Sequence, residues 1–118
     1  MSDYVAHRRG RQGEKMATRF LQEKGMKLVA KNYRYRRGEV DLVMLDRDTL
    51  VFVEVKLRLN TNFGDPETFV NPAQAERISE AANQYVHEAA WEGNIRFDII
   101  AITMQPHPAI EHFEDAFY

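Results

Sequence analysis

The densest run of chemistry-bearing side chains in the 118-residue sequence lies at Glu39-Val40-Asp41 and Glu54-Val55-Lys56-Leu57-Arg58. Strand side chains repeat every two residues, so Glu54, Lys56 and Arg58 share one strand face, and Glu39 and Asp41 share another. Between the two runs, Asp46-Arg47-Asp48-Thr49 has turn chemistry and is flanked by apolar LVML and LVFV. Read as a four-residue hairpin loop, it sets Leu45 opposite Leu50, Asp41 opposite Glu54 and Glu39 opposite Lys56. Directly opposed β-carbons lie about 5 Å apart, so two carboxylates and a lysine are expected to converge. Placing them among Val40, Leu42, Val43, Phe52, Val53 and Val55 is costly without compensating interactions. A divalent cation provides one: Mg²⁺ prefers hard oxygen ligands, keeps waters and accepts a phosphate oxygen, which suits two carboxylates to a metal on a phosphodiester. Lys56 can then orient or activate the attacking water and offset charge developing at phosphorus. A salt-bridged strand pair, with Lys56 neutralising Glu54 or Glu39, is the competing reading.

The elements that must position these groups are legible on either side. Residues 11–24 place Met16, Ala17, Phe20 and Leu21 on a helical stripe, with Gly25 as the stop. Glu14 falls near the edge of the docking face, where it can point into a cleft beside the core or serve as a first-turn acid. The following MKLVAKNYRYRRGEVDLVMLD reads as two strands broken at Gly38, and the hairpin partner spans residues 50–58. Residues 60–72 form a loop ending in Asn71, a helix cap, and Pro72, with Gln74 able to reciprocate in a capping box. Ala75, Ile78, Ala82, Tyr85 and Ala89 make a second stripe, ended by Glu92, Gly93 and Asn94. IRFDIIAIT is a buried strand, QPHP a turn, and AIEHF a short final edge strand. The expected class is α/β, in helix-strand-strand-strand-helix-strand order with that short final strand, as one domain over 1–118 with residues 1–10 mobile.

Composition narrows the function classes. There is no cysteine, which excludes disulfides and cysteine-ligated zinc or iron-sulfur sites. No segment approaches the roughly 18 apolar residues of a membrane span, and no signal-peptide core is present at the start, so a cytoplasmic protein with no membrane partner is expected. The net charge of −2 conceals a division. Residues 1–60 carry 14 basic and 8 acidic side chains, a balance of +6, whereas residues 61–118 carry 2 and 10, a balance of −8. A cationic surface on an acidic protein is thereby allowed, and nucleic acid is not excluded.

Arg34, Arg36, Arg37 and Arg58 flank the acidic pair and are the candidate phosphate contacts. Tyr33 and Tyr35 can stack on bases, but core packing of at least one ring is favoured. Arg8, Arg9, Arg11 and Lys15 can extend the cationic track, while Phe63, Gly64 and Asp65 lie in a loop that either borders substrate or simply turns. Arg96 and Asp98 share a strand face, where mutual pairing is expected over catalysis. His87 reads as polar-side, and His7, His107 and His112 offer no ligand arrangement; His112 reads as a strand or terminal contact.

Taken together, Gly13-Glu14, Asn32-Tyr33-Arg34, Arg37-Gly38-Glu39-Val40-Asp41-Leu42, Phe52-Val53-Glu54-Val55-Lys56 with Arg58, and Arg96-Phe97-Asp98 resemble the YraN-like family of predicted endonucleases. The likeness runs from about residue 10 to Phe117. That family is similar to the PD-(D/E)XK nuclease superfamily, particularly the archaeal Holliday-junction resolvases. The resemblance implies a restriction-endonuclease-like core, Asp41 and Glu54 as ligands of Mg²⁺ or Mn²⁺, Lys56 as catalytic lysine, and Glu14 as an additional helical acid near the metal. Gln74 stands where the family often has lysine, and cannot supply its charge. The expected activity is metal-dependent hydrolysis of nucleic-acid phosphodiesters, in DNA and in particular branched DNA. A noncatalytic nucleic-acid-binding protein and a structural homodimer are the alternatives.

Overall fold

The computed structural model describes residues 3–59 and 70–117, with side chains from Gly10 onward. Helix α1 (Asp3–Glu23) is followed by strands β1 (Lys27–Tyr35), β2 (Gly38–Asp46) and β3 (Thr49–Arg58), helix α2 (Pro72–Glu88), and strands β4 (Asn94–Thr103) and β5 (Ala109–Phe113). The strands form one sheet in the order β1-β2-β3-β4-β5, with β3 and β4 parallel and the other pairs antiparallel. This is the expected α/β order, and it matches the restriction-endonuclease-like arrangement, final strand included. No helix among the described residues is long and apolar enough to cross a membrane.

One helix covers each face of the sheet. Ala17 and Leu21 of α1 are fully buried against Leu42, Met44, Val51, Val53, Ile100 and Ile102, with Met16 and Phe20 beside them. Ile78, Ala81 and Ala82 of α2 pack on Val40, Val43, Leu50, Phe52 and Phe97. Alternation along β3 separates the two sets, Val51 and Val53 to one side and Leu50 and Phe52 to the other. It fails in β2, where Val40 and Val43 face the same layer three residues apart, and Asp41 lies within that irregularity.

Several local expectations are corrected. The helix expected over 11–24 begins at Asp3 and so reaches back through residues expected to precede it. The β1–β2 break falls at Arg36-Arg37, between paired Tyr35 and Gly38, and Arg36 carries the positive φ of 57°. Gly38 serves packing instead, since a β-carbon there would collide with the Arg77 carbonyl of α2. The β2–β3 hairpin keeps the expected Leu45–Leu50 register but also pairs Asp46 with Thr49, which leaves a two-residue turn with Arg47 at φ 58°. Helix α2 stops at Glu88 with Ala89 as its cap, ahead of the Glu92-Gly93-Asn94 stop, and Ala90 takes the left-handed turn at φ 51°. The expected loop contacts of Phe63, Gly64 and Asp65 lie outside the described residues, as do the side chains of His7, Arg8 and Arg9.

Candidate active site

The β2–β3 ladder is paired from Asp46–Thr49 up to Leu42–Val53. Beyond it the Asp41 carboxylate takes over, its Oδ2 accepting the Val55 N–H at 2.8 Å. The side chain thus replaces a main-chain acceptor and is fixed beside Glu54. Burial and then the Glu54 charge push the Asp41 carboxyl up to about 8, against the opposing pull of the Val55 N–H; Glu14 and Glu39 push in the same upward direction. Glu54 is itself only 8% exposed, and burial raises its pKa despite the opposing charge of Lys56. Two carboxyl groups are therefore held where neither ionises easily, the electrostatic condition that a cation relieves.

Lys56 lies 3.4 Å from Glu54 through Nζ and Oε1, and its Nζ donates to Gln74 Oε1 at 3.5 Å. Gln74 Nε2 in turn donates to Glu54 Oε1 at 3.4 Å. The cap at Asn71 forms as expected, its Oδ1 accepting the Gln74 N–H at 2.8 Å. The Gln74 side chain, expected to complete a capping box, is directed to the acid and the lysine. The paired ladder stops short of the expected Glu39–Lys56 opposition, and Glu39 lies 3.2 Å from Arg34 Nε and accepts the Asn32 amide at 3.2 Å.

Asn32, marked in the sequence only as part of the Asn32-Tyr33-Arg34 run, was not expected at the site. It has φ 50°, a left-handed conformation that asparagine tolerates, and its Nδ2 also donates to Glu14 Oε2 at 2.9 Å. One amide thereby ties the α1 acid to the β2 acid. The available signal was an asparagine inside a strand pattern, a residue type that strands disfavour. The neighbouring Gly13 faces Val55 and Leu57 of β3. Among the described residues, no three His, Cys, Asp or Glu side chains converge as a metal-holding group. Asp41 and Glu54 offer a two-carboxylate, all-oxygen donor set, which fits a hard divalent cation whose other positions are filled by water and phosphate.

Two clefts reach Asp41, and one of them also reaches Glu54. One of about 220 Å³ is lined by Arg37, Glu39, Asp41, Glu54, Gln74, Arg77 and Ile78. Arg77, also unanticipated, lies one helical turn beyond Gln74 on the same side of α2. The other, about 480 Å³, passes Gly10, Arg11, Glu14, Asn32, Arg34, Glu39 and Asp41. Arg34 and Arg37 thus line the clefts. Arg36 instead sits over the Tyr35 ring at 5.1 Å, and half-buried Arg58 lies two residues beyond Lys56 on β3. Tyr33 and Tyr35 pack against the α2 layer, and Tyr33 also donates to Glu88 at 2.8 Å.

On the opposite sheet face, the Arg96–Asp98 pairing forms at 2.8 and 2.9 Å. His112 joins it, with Nε2 2.7 Å from Asp98 Oδ2.

The family model for uncharacterised protein family UPF0102 matches residues 13–102. A UPF0102 protein of Christiangramia forsetii is 40% identical over 110 residues, covering 92% of each chain. One from Flavobacterium psychrophilum is 41% identical over 110 residues with the same coverage. A third, from Solibacter usitatus, is 44% identical over 112 residues, covering 92% of this chain and 84% of its own. With three quarters of its length inside the family model and relatives matched nearly end to end, this chain belongs to the uncharacterised protein family UPF0102.

Proposed function

We propose that the protein is a metal-dependent nuclease that hydrolyses phosphodiester bonds, with DNA as its substrate. The observation that carries this reading is the juxtaposition of half-buried Asp41 and buried Glu54 with Lys56 at 3.4 Å from the second acid. A structural ion pair requires one acid and one base. Here a second carboxyl group is kept beside the first although burial and repulsion oppose its ionisation, a cost expected of a working site.

Asp41 and Glu54 would hold Mg²⁺ or Mn²⁺, which when bound supplies Lewis-acid polarisation of the phosphoryl oxygen and lowers the pKa of a bound water. Asp41 is kept in place by the Val55 N–H, and Glu54 by Lys56 and Gln74. Lys56 offers ammonium protons to the attacking water or to the charge developing at phosphorus. Gln74 restricts the lysine's rotamers by accepting from it. Arg34 and Arg37, in the two clefts, offer bidentate donors to flanking phosphates.

The test compares wild type with Asp41→Asn, Glu54→Gln and Lys56→Met on single strands, duplexes, flaps and four-way junctions, with and without Mg²⁺ or Mn²⁺. Either carboxylate variant is expected to lose metal-stimulated cleavage, and Lys56→Met to lower turnover more than metal affinity. Equal cleavage by all four proteins would show that the activity belongs to a contaminant or another site. Nucleic-acid binding with no cleavage of any substrate would make this a noncatalytic binding module.

A further inference from the structure

The cleft past Asp41 does not end at Glu14. Arg11, Glu14 and Asn32 also line a second groove, about 420 Å³, which runs outward between α1 and edge strand β1. Its α1 wall carries Arg11, Lys15 and Arg19 at four-residue intervals, and Lys31 stands on the β1 wall. Four residues of helix rise about 6 Å, so the three helical cations form a row about 12 Å long that leads away from the acidic pair. Glu14 is the carboxylate lining this groove, and its Oε2 is engaged by Asn32 at the end nearest Asp41. Among the described residues, Arg11, Lys15 and Lys31 have no ion pair, and Arg19 meets Glu23 only at 3.8 Å on the exposed surface. The cationic row is therefore available to an external anion.

The dimensions and lining identify the anion's class. From Arg11 to Gln22 the groove follows about 16 Å of helix. The cations lie in one row along α1 with Lys31 facing them from β1, a single line of contacts that matches the phosphates of one backbone strand. Among the described residues no aromatic side chain lines it, so they offer no base-stacking platform there.

We propose that this groove carries a single nucleic-acid strand as it leaves the Asp41/Glu54 pair, gripping the phosphates and leaving the bases unread. The proposal rests on the nuclease reading and deepens it: the strand continues past the bond attacked, so the site acts at internal positions. DNA and RNA present the same phosphodiester chemistry to such a groove.

The experiment measures binding of labelled oligothymidylate in EDTA across a salt series, for wild type, Lys15→Gln/Lys31→Gln, and the charge-matched control Lys27→Gln/Arg47→Gln. All four positions are solvent-facing, and folding is checked by circular dichroism. With about 0.7 counterions released per single-strand phosphate neutralised, the groove variant is expected to lose about 1.4 from the salt slope, roughly 25-fold in affinity at 0.1 M salt. The control should follow wild type, oligoadenylate should behave as oligothymidylate, and an RNA strand should show the same groove-variant loss. A short probe that covers only the acidic pair should be insensitive to the groove variant. Equal affinities for groove variant and wild type, an equal loss in the control, or strong base dependence would overturn the proposal. So would an absence of binding by wild type. The nuclease reading is judged separately, by whether wild type cleaves the short probe and Asp41→Asn does not.

Discussion

Asp41 shows how a carboxyl group can be both anchored and burdened. Val55 N–H fixes one oxygen at 2.8 Å, while burial and Glu54 oppose its charge. Asn at this position retains an acceptor for Val55 and removes the group whose ionisation burial and Glu54 oppose. Asp41→Asn is therefore expected to raise the metal-free thermal midpoint by a few degrees, corresponding to about 1 kcal/mol, while abolishing any cation-induced rise seen in wild type. A lower midpoint for the variant would show that the pair is not repulsive in the free protein. Gln74 provides a second residue-scale prediction. If it positions Lys56, Gln74→Ala should lower kcat by roughly tenfold with KM little changed, and Gln74→Glu, which retains the acceptor, should restore part of the rate; parallel changes in KM would point to substrate contact instead. The acid pair and Lys56 were legible because strand spacing carries their side chains to one place. Asn32 and the direction of Gln74 were not, since an asparagine in a strand and a glutamine after a cap both have ordinary local uses, and only the approach of α1 and α2 gives them distant partners.

Two glycines separate local preference from packing between elements. Gly38 begins β2 under the Arg77 carbonyl, where a β-carbon has no room. Gly38→Ala should cost about 1–3 kcal/mol as α2 is pushed from the sheet, read as a lower urea midpoint at unchanged slope. Gly13 lies in α1, and its β-carbon would meet the Leu57 β-carbon at 3.4 Å, an ordinary contact. Alanine gains up to about 1 kcal/mol of helix propensity, so Gly13→Ala should be neutral or stabilising. Equal destabilisation by both would show that the α1 contact is tighter than its geometry implies. The order of the described elements and the buried stripes of α1 and α2 could be read from periodicity, because burial enforces it, whereas β2 breaks its alternation beside Asp41. The turns were less legible. Sequence placed the first break at Gly38, yet the left-handed residue is Arg36, since tertiary contact with α2 claims the glycine for another purpose.

Across the molecule, the site lies at the sheet end reached by Glu14 of α1 and Gln74 of α2, while a separate ionic cluster joins the later elements on the α1 face. Asp98 on β4 is fully buried and accepts from Arg96, His112 of β5 and the Asp115 N–H. Arg96 also lies 3.5 Å from Asp46 on β2 and 3.9 Å from Glu114, while His112 meets Lys24 at 2.9 Å and sets its ring against Phe20 of α1. One carboxylate thus ties β2, β4, β5, the C-terminal segment and the end of α1. Sequence indicated the Arg96–Asp98 pair through its two-residue spacing, but His112 comes from a strand fourteen residues later and was legible only as a strand or terminal contact. Burial alone would raise the Asp98 pKa; hydrogen bonds from His112, Arg96 and Asp115, with the Arg96 charge, hold it below the usual carboxylate range. Its folded value is thus lower than its unfolded value of about 3.9, so its stabilisation is complete above that value and is lost as pH falls through the lower folded one. Asp98→Asn leaves Arg96 and His112 without their buried counter-charge and is expected to cost about 3 kcal/mol at neutral pH. The variant should also lack the part of the acid-induced loss that Asp98 causes, so the stability gap between the two proteins should narrow below about pH 3.9. Urea titrations at a series of pH values check both effects; a gap under about 1 kcal/mol at neutral pH, or one that widens in acid, would show that the cluster does not stabilise this face in the way its geometry indicates.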